Sequence, residues 1–240
     1  NPRFNIKDNL TYCHYNLYNN RSRPTNSFNS VNFAAIPKKP EYRECIIPKH
    51  DKFVEIDFDA YHVRLIADAV GHEFTSESVH VQLGREYFNK QELTEEEYEE
   101  SKKITFQQMY GGVEERYRYI GFYDKVVELK NTLWSDFTTK GYATAPISGK
   151  KFSNRLKDMH GLKLMNYIIQ NLETSRNILI LKEVLKFLRD KKTNIALYTY
   201  DAILFDVSEE DINIVEQLKG IMSQEGKYPV KLKESNNLVL

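Results

Sequence analysis

Short apolar runs and amphipathic stretches follow one another along the chain, and their different periods separate strands from helices. Phe53, Val54 and Ile56 stand in a largely apolar run that predicts a strand over 52–58. The runs 195–200 and 202–205 predict two strands within 194–207, with Asp201 near the bend. Helical spacing predicts a helix over 60–70 with Gly71 as its C-cap, another over 77–88, and a long amphipathic one over 122–137. Thr94 followed by Glu97 forms a capping-box pattern and opens a helix that runs to Tyr110 and stops at Gly111 and Gly112. Residues 141–152 read as a hairpin turning near Ser148 and Gly149. Residues 162–190 read as helical in two pieces, 208–211 as the cap of a helix to 222, and 228–232 as a last strand. The hairpins, and the lack of regular βαβ units, predict an α+β fold: an antiparallel sheet covered by helices.

Residues 1–50 break this pattern. They are polar and irregular, with Pro24, Pro37, Pro40 and Pro48, and they carry Arg21, Arg23, Asn26, Asn29 and Asn32. Such a segment is either a solvated loop or an arm lying on a ligand or nucleic acid.

The chain has 240 residues, enough for one large domain or two small ones. Its 34 basic and 34 acidic residues cancel, so net charge argues neither for nor against nucleic acid. Cys13 and Cys45 are too few for a disulfide framework, which points to a reducing compartment. No apolar stretch is long enough to span a membrane and no signal peptide is visible. The first residue is Asn1, which suggests an excised fragment or a processed chain.

The candidate chemistry lies in three places. Asp57 and Asp201 each sit at the edge of a segment that reads as a buried strand. A carboxylate there is costly unless it is paired or bound to a cation, so two such acids suggest one shared metal site. Lys102, Phe106 and Tyr110 are spaced i, i+4, i+8 and form one stripe on a helix face. Two readings fit that stripe: a Lys snorkelling above an aromatic core contact, or a nucleoside triphosphate laid along the helix. The local cluster Lys150, Lys151, Arg155, Lys157 and Lys163 suits either a phosphate backbone or a plain solvated surface. The acidic run 92–100 reads as a solvated face with favourable charge at a helix N-terminus.

Taken together and in order, these residues resemble the family A DNA polymerases, from about Arg21 to the C-terminus. Asp57-Phe58-Asp59-Ala60-Tyr61-His62-Val63-Arg64 resembles the family's motif A, D-Y-S-x-I-E-L-R. Lys102, Phe106, Tyr110 and Gly111 match motif B, K-x-x-x-F-x-x-x-Y-G, with its spacing intact. Gly141-Tyr142 with Gly149-Lys150-Lys151 resembles the hairpin that follows, and Asn166-x-x-x-Gln170 resembles the helix that meets template and primer. Tyr200-Asp201-Ala202 stands where motif C has H-D-E, and Asn32-x-x-x-Ile36-Pro37 resembles the N-L-Q-N-I-P stretch. There are departures. His62 replaces the motif A Glu, Tyr98 and Leu162 stand where Arg is usual, Ala202 removes the motif C Glu, and Ala35 replaces an Asn. Arg23 stands for the Arg of T-G-R at an unusual spacing.

The resemblance implies a palm and a fingers subdomain, divided as palm 1–71, fingers 72–160 and palm 161–240. It implies template-directed DNA synthesis by two-metal nucleotidyl transfer. Asp57, Asp201 and the Phe58 carbonyl would hold two Mg2+ ions. His62, Lys102, Phe106 and Tyr110 would bind the deoxynucleoside triphosphate, and Arg23, Asn32, Gly111, Asn166, Gln170 and Tyr200 the primer-template DNA. It also implies replication accessory proteins as partners, no membrane, and a cytoplasmic location, that of the host for a phage-encoded chain. Two alternatives stand beside it. One is a single-subunit RNA polymerase, against which Phe106 argues. The other is a catalytically silent nucleic-acid-binding module, against which the two aspartates and Lys102 argue.

Overall fold

The computed structural model describes residues 6–16, 18–19, 23–26 and 30–240. Arg21 and Asn29 therefore lie outside the described residues. The protein has an α+β fold with antiparallel sheets, and its chain divides into two compact units. The first comprises residues 1–59 and 176–240, and the second residues 60–175.

The first unit is built on one sheet of four strands, β5 (Lys52–Phe58), β8 (Asn194–Tyr198), β9 (Ala202–Val207) and β10 (Val230–Ser235). Their order is β10-β5-β9-β8, and every neighbour runs antiparallel. Val54 pairs with Phe205 and Ile56 with Ile203, so these apolar residues share one face by the two-residue period. Helix α7 (Val215–Ser223) lies against β5 and β10 and buries Val215, Leu218 and Met222. The opposite face carries Phe53 and Leu204, which join Val31, Phe33 and Leu238 in a second buried cluster. Both faces of β9 are thus covered, which explains its apolar run 202–205.

The N-terminal segment is less irregular than its composition predicts. It forms two small antiparallel ladders, β1 (Ile6–Lys7) with β2 (Leu10–Thr11) and β3 (Tyr15–Asn16) with β4 (Thr25–Asn26), before the short helix α1 (Pro40–Arg43). Each of these pieces is two residues long, and Pro24, which has no N–H to donate to a ladder, immediately precedes β4.

The second unit is helical. It holds α2 (Tyr61–Ala69), α3 (Val79–Phe88), α4 (Glu95–Gly111) and α5 (Gly121–Thr139), with the hairpin β6 (Tyr142–Thr144) and β7 (Lys151–Ser153). The capping box at Thr94 is formed in both directions. Glu97 N–H donates to Thr94 Oγ1 at 3.2 Å and Thr94 N–H to Glu97 Oε2 at 3.0 Å. Gly84 lets α3 and α4 approach closely, since a Cβ there would stand 3.1 Å from Ser101 Cβ and 2.5 Å from Leu93 Cδ1. Ser101 Oγ then donates to His80 O at 2.8 Å and fixes the rotation of α4. The buried Arg64 donates to Thr75 O at 3.1 Å and Glu77 O at 2.9 Å, pinning the chain between α2 and α3.

Helix α6 (Gly161–Phe187) is one unbroken helix, not two pieces. Between Leu162 and Phe187 the segment has no Gly or Pro to break it. Ser175 Oγ bonds back to Asn171 O at 2.6 Å, which keeps the hydroxyl satisfied inside the helix. The expected helix from 208 begins instead as a 3-10 turn (Glu209–Ile214) that leads into α7. There the Asp211 carboxylate accepts from Lys192 N–H at 2.7 Å and Thr193 N–H at 2.8 Å. The last strand lies further on than expected, because the buried Tyr228 packs before it starts.

Asp206 shows what a structural carboxylate in this sheet looks like. It is buried and accepts from Lys49 N–H at 3.0 Å and His50 N–H at 2.9 Å, closing the turn before β5. Asp206→Ala strands two backbone donors and is expected to cost about 2–3 kcal/mol in urea unfolding. A loss below about 0.5 kcal/mol would show that the turn does not depend on it.

Candidate active site

In the first unit, the antiparallel register brings the two predicted aspartates to one end of the central strands. Asp57 pairs with Ala202, and Phe58 N–H donates to Asp201 O at 2.9 Å. Asp201 lies in the bend 199–202, where Thr199 N–H donates to Ala202 O at 2.9 Å. Tyr200 sits in that bend with φ of 67°, a left-handed conformation that disfavours a bulky side chain. Its strain is held by its neighbours. Asn177 Nδ2 donates to Tyr200 O at 2.5 Å and to Tyr198 Oη at 2.9 Å, and the Arg23 guanidinium stacks 3.7 Å over the Tyr200 ring. Backbone strain over-determined in this way concentrates at functional sites.

Electrostatics separates Asp57 from its neighbours. Burial, then the charges of Asp201 and Glu55, push the Asp57 carboxyl up to about 6, and Lys233 and Lys231 oppose this only in part. By contrast, Asp59 lies 2.5 Å from Lys231 Nζ, and Glu55 lies 3.3 Å from Lys233 Nζ. Ala202, buried directly across from Asp57, adds no further charge. A motif C carboxylate at that position would deepen the repulsion.

A divalent cation fits this arrangement, since it would offset both the burial and the like charges that raise Asp57. Among the described residues, no group of three or more His, Cys, Asp or Glu side chains forms a metal cluster. Two carboxylates suit Mg2+, which takes one or two from protein and fills its remaining positions with water and substrate phosphate.

In the second unit, α4 presents its stripe. Phe106 and Tyr110 stack with centroids 6.1 Å apart and planes 11° apart. Phe106 is 48% exposed, so the stripe is not an ordinary core contact. Lys102 Nζ lies 4.2 Å over the Tyr98 ring and 2.6 Å from Glu99 Oε1. Tyr98, one of the departures, thus supports the cation. His62 Nδ1 hydrogen-bonds Tyr110 Oη, and His62 Nε2 lies 3.0 Å from Glu173 Oε1.

The C-terminal end of α4 is fixed by Gln108, which is buried. Its Nε2 donates to Glu114 Oε1 at 2.9 Å, and its Oε1 accepts from Glu114 N–H at 2.7 Å. Gly112 has φ of 100°, and a Cβ there would stand 2.9 Å from Leu162 Cδ2. A Cβ at Gly111 would meet nothing within 4 Å, so that position is open to an approaching group. Leu162, in the place of an expected Arg, serves as this apolar contact.

Asn166 and Gln170 lie one turn apart on α6, and Asn166 Oδ1 is buried with no hydrogen-bond partner among the described residues. Ser148 Oγ bonds Asn171 Oδ1 at 2.6 Å, tying the hairpin loop to α6. Lys163 is partly occupied at home, its Nζ donating to Asp158 O at 3.2 Å. Lys151 lies over the Tyr142 ring at 4.3 Å. Asn32 is exposed and leads into the turn Phe33–Ala35.

Glu173 is the residue that sequence reading missed. Its signal was present: Asn166, Gln170, Glu173 and Asn177 follow a 4-3-4 spacing along one helix face.

The chain is similar to the POL domain of Pol1 from M. smegmatis. That structure was solved in complex with DNA primer-template and dNTP, and it matches with a TM-score of 0.77 at 16% identity. The match covers 98% of this chain and 49% of that one, so the chain spans about half the length of the Pol1 domain. At this identity the likeness to Pol1 is one of fold. No protein-family model and no curated protein matches the chain. No helix among the described residues is long and apolar enough to cross a membrane.

The raised Asp57 carboxyl has a testable consequence. The native state keeps this proton between about pH 4 and 6, where the unfolded chain has lost it. Stability from this group is therefore present at low pH and lost as pH rises through about 6. In EDTA at pH 7, Asp57→Asn should gain about 1 kcal/mol after solvent screening, or about 2–4 °C in Tm. The gain should vanish near pH 4, and a loss of stability at pH 7 would contradict the account.

Proposed function

We propose that the chain carries the palm and fingers of a family A-type DNA polymerase and adds deoxynucleotides to a primer 3′ end. One observation carries the proposal: Asp57 at the end of β5 lies beside Asp201 in the bend that leads into β9, in a fold similar to the Pol1 POL domain, with the Asp57 carboxyl raised by burial and then by the charge of Asp201. The intact Lys102-Phe106-Tyr110 stripe on α4 supports the same reading.

In this reading Asp57, Asp201 and the Phe58 carbonyl would hold two Mg2+ ions, which when bound would supply Lewis-acid activation and charge stabilisation at the phosphates. Lys102 neutralises charge developing on the triphosphate, the kind of preorganised contact that contributes most to such reactions. Phe106 and Tyr110 offer a stacked aromatic surface to the nucleotide, and base–aromatic stacking is worth about 1–3 kcal/mol per base. His62, holding the Tyr110 hydroxyl, takes over the role of the motif A Glu in setting sugar choice. Arg23, Asn32, Gly111, Asn166, Gln170 and Tyr200 contact primer-template DNA, and the unpartnered Asn166 oxygen suits an incoming donor.

Primer extension with Mg2+ and either deoxy- or ribonucleotides tests the proposal. Extension with deoxynucleotides is expected, and Asp57→Asn or Asp201→Asn should each lower kcat by about 10³-fold or more. Lys102→Ala should lower kcat/KM by about 10²-fold while changing DNA affinity less than about threefold. Preference for ribonucleotides would favour the RNA polymerase alternative, and binding of DNA without extension the silent module. Equal losses of DNA affinity and incorporation in Lys102→Ala would assign that residue to DNA.

A further inference from the structure

Glu173 is fully buried in the middle of α6, where a carboxylate is costly to hold. One of its partners is His62, whose Nε2 stands 3.0 Å from Oε1. A carboxylate only accepts, so His62 carries a proton on Nε2 and donates it there. In the neutral ring this leaves the Nδ1 lone pair for Tyr110, whose hydroxyl donates to it. The two rings also meet edge to face, with centroids 6.0 Å apart and planes 78° apart. Tyr110 is in turn stacked on the half-exposed Phe106. The chain of contacts therefore runs from a buried charge to an exposed aromatic surface.

We infer that Glu173 is a positioning residue that orients the His62 ring, through it the Tyr110 phenol, and so sets the choice between deoxyribose and ribose. The sugar choice rests on the proposed polymerase function, whereas the coupling rests on this geometry alone. The negative charge absent at position 62 is thus supplied from α6, one side chain removed. Glu173→Gln keeps the shape but removes the fixed acceptor. The amide can donate to Nε2 as readily as accept from it, so the His62 tautomer and the Tyr110 hydroxyl lose their single arrangement.

The test has two arms. The first reads the ring nitrogens of His62 by 15N NMR, with the spectrum of His62→Ala identifying its signals. Wild type should show a protonated Nε2 and an unprotonated, hydrogen-bonded Nδ1, and Glu173→Gln should mix the two tautomers. Unchanged signals would overturn the coupling. The second arm compares kcat/KM for dCTP and CTP on one primer-template. Glu173→Gln should lower the deoxy-to-ribo ratio by about 10-fold, and in a His62→Ala background it should add less than about twofold. An unchanged ratio, or effects that multiply, would overturn the inference. Tyr110→Phe removes only a hydroxyl and serves if Glu173→Gln unfolds the protein. It should change the Nδ1 signal of His62 and lower the ratio, and failure of either contradicts the inference. A chain that incorporates neither nucleotide overturns the polymerase reading and the sugar choice with it, while the nitrogen signals still decide the coupling.

Discussion

Two carboxylates on neighbouring strand ends repel each other, and the first unit is organised to keep them there. The ladder between β5 and β9 sets Asp57 opposite Ala202 and ties Phe58 N–H to the Asp201 carbonyl. A one-residue slip in that ladder would turn Asp57 to the other face and take Val54 and Ile56 away from the face they share with Ile203 and Phe205. The apolar burial on both faces of the sheet therefore fixes the register, and the register fixes the acids. Burial first, and then the charges of Asp201 and Glu55, hold the Asp57 carboxyl above its usual range.

The other acids of the fold show that this repulsion is particular to one place. Asp206 is hydrogen-bonded by two backbone donors, Asp59 is paired with Lys231, and Glu173 is hydrogen-bonded by His62 among its partners. Each follows the rule that a buried charge is paired or hydrogen-bonded. Asp57 has lysines nearby, but they do not outweigh burial and two like charges. Like charges held together in this way are suited to a bound divalent cation. The strained Tyr200, braced by Asn177 and Arg23, belongs to the same arrangement, because it makes the bend from which Asp201 projects.

Much of this was legible in the chain. The apolar runs at 53–56 and 202–205 marked β5 and β9 because both strands are buried on at least one face. The Thr94 capping box marked the start of α4, because its chemistry is local. The stripe of Lys102, Phe106 and Tyr110 could be placed on one helix face by spacing alone. What spacing could not show was long-range partnership. The segment expected as two helical pieces is the single helix α6, whose polar Ser175 and Asn171 are satisfied by the preceding turn and by the hairpin loop. Glu173 was overlooked because its meaning depends on His62, 111 positions away. Tyr98 and Leu162 read as losses of an Arg, and only packing shows one supporting Lys102 and the other filling the space beside Gly112.

Asp57 and Asp201 are expected to form one cation site. Mn2+, a spectroscopic stand-in for Mg2+, can be titrated into the whole chain and followed by electron paramagnetic resonance. If the carboxylates share the ion, Asp57→Asn and Asp201→Asn should each weaken binding by about 10-fold or more, and the double substitution should weaken it little further. Binding that survives both substitutions, or losses that simply multiply, would contradict a shared site.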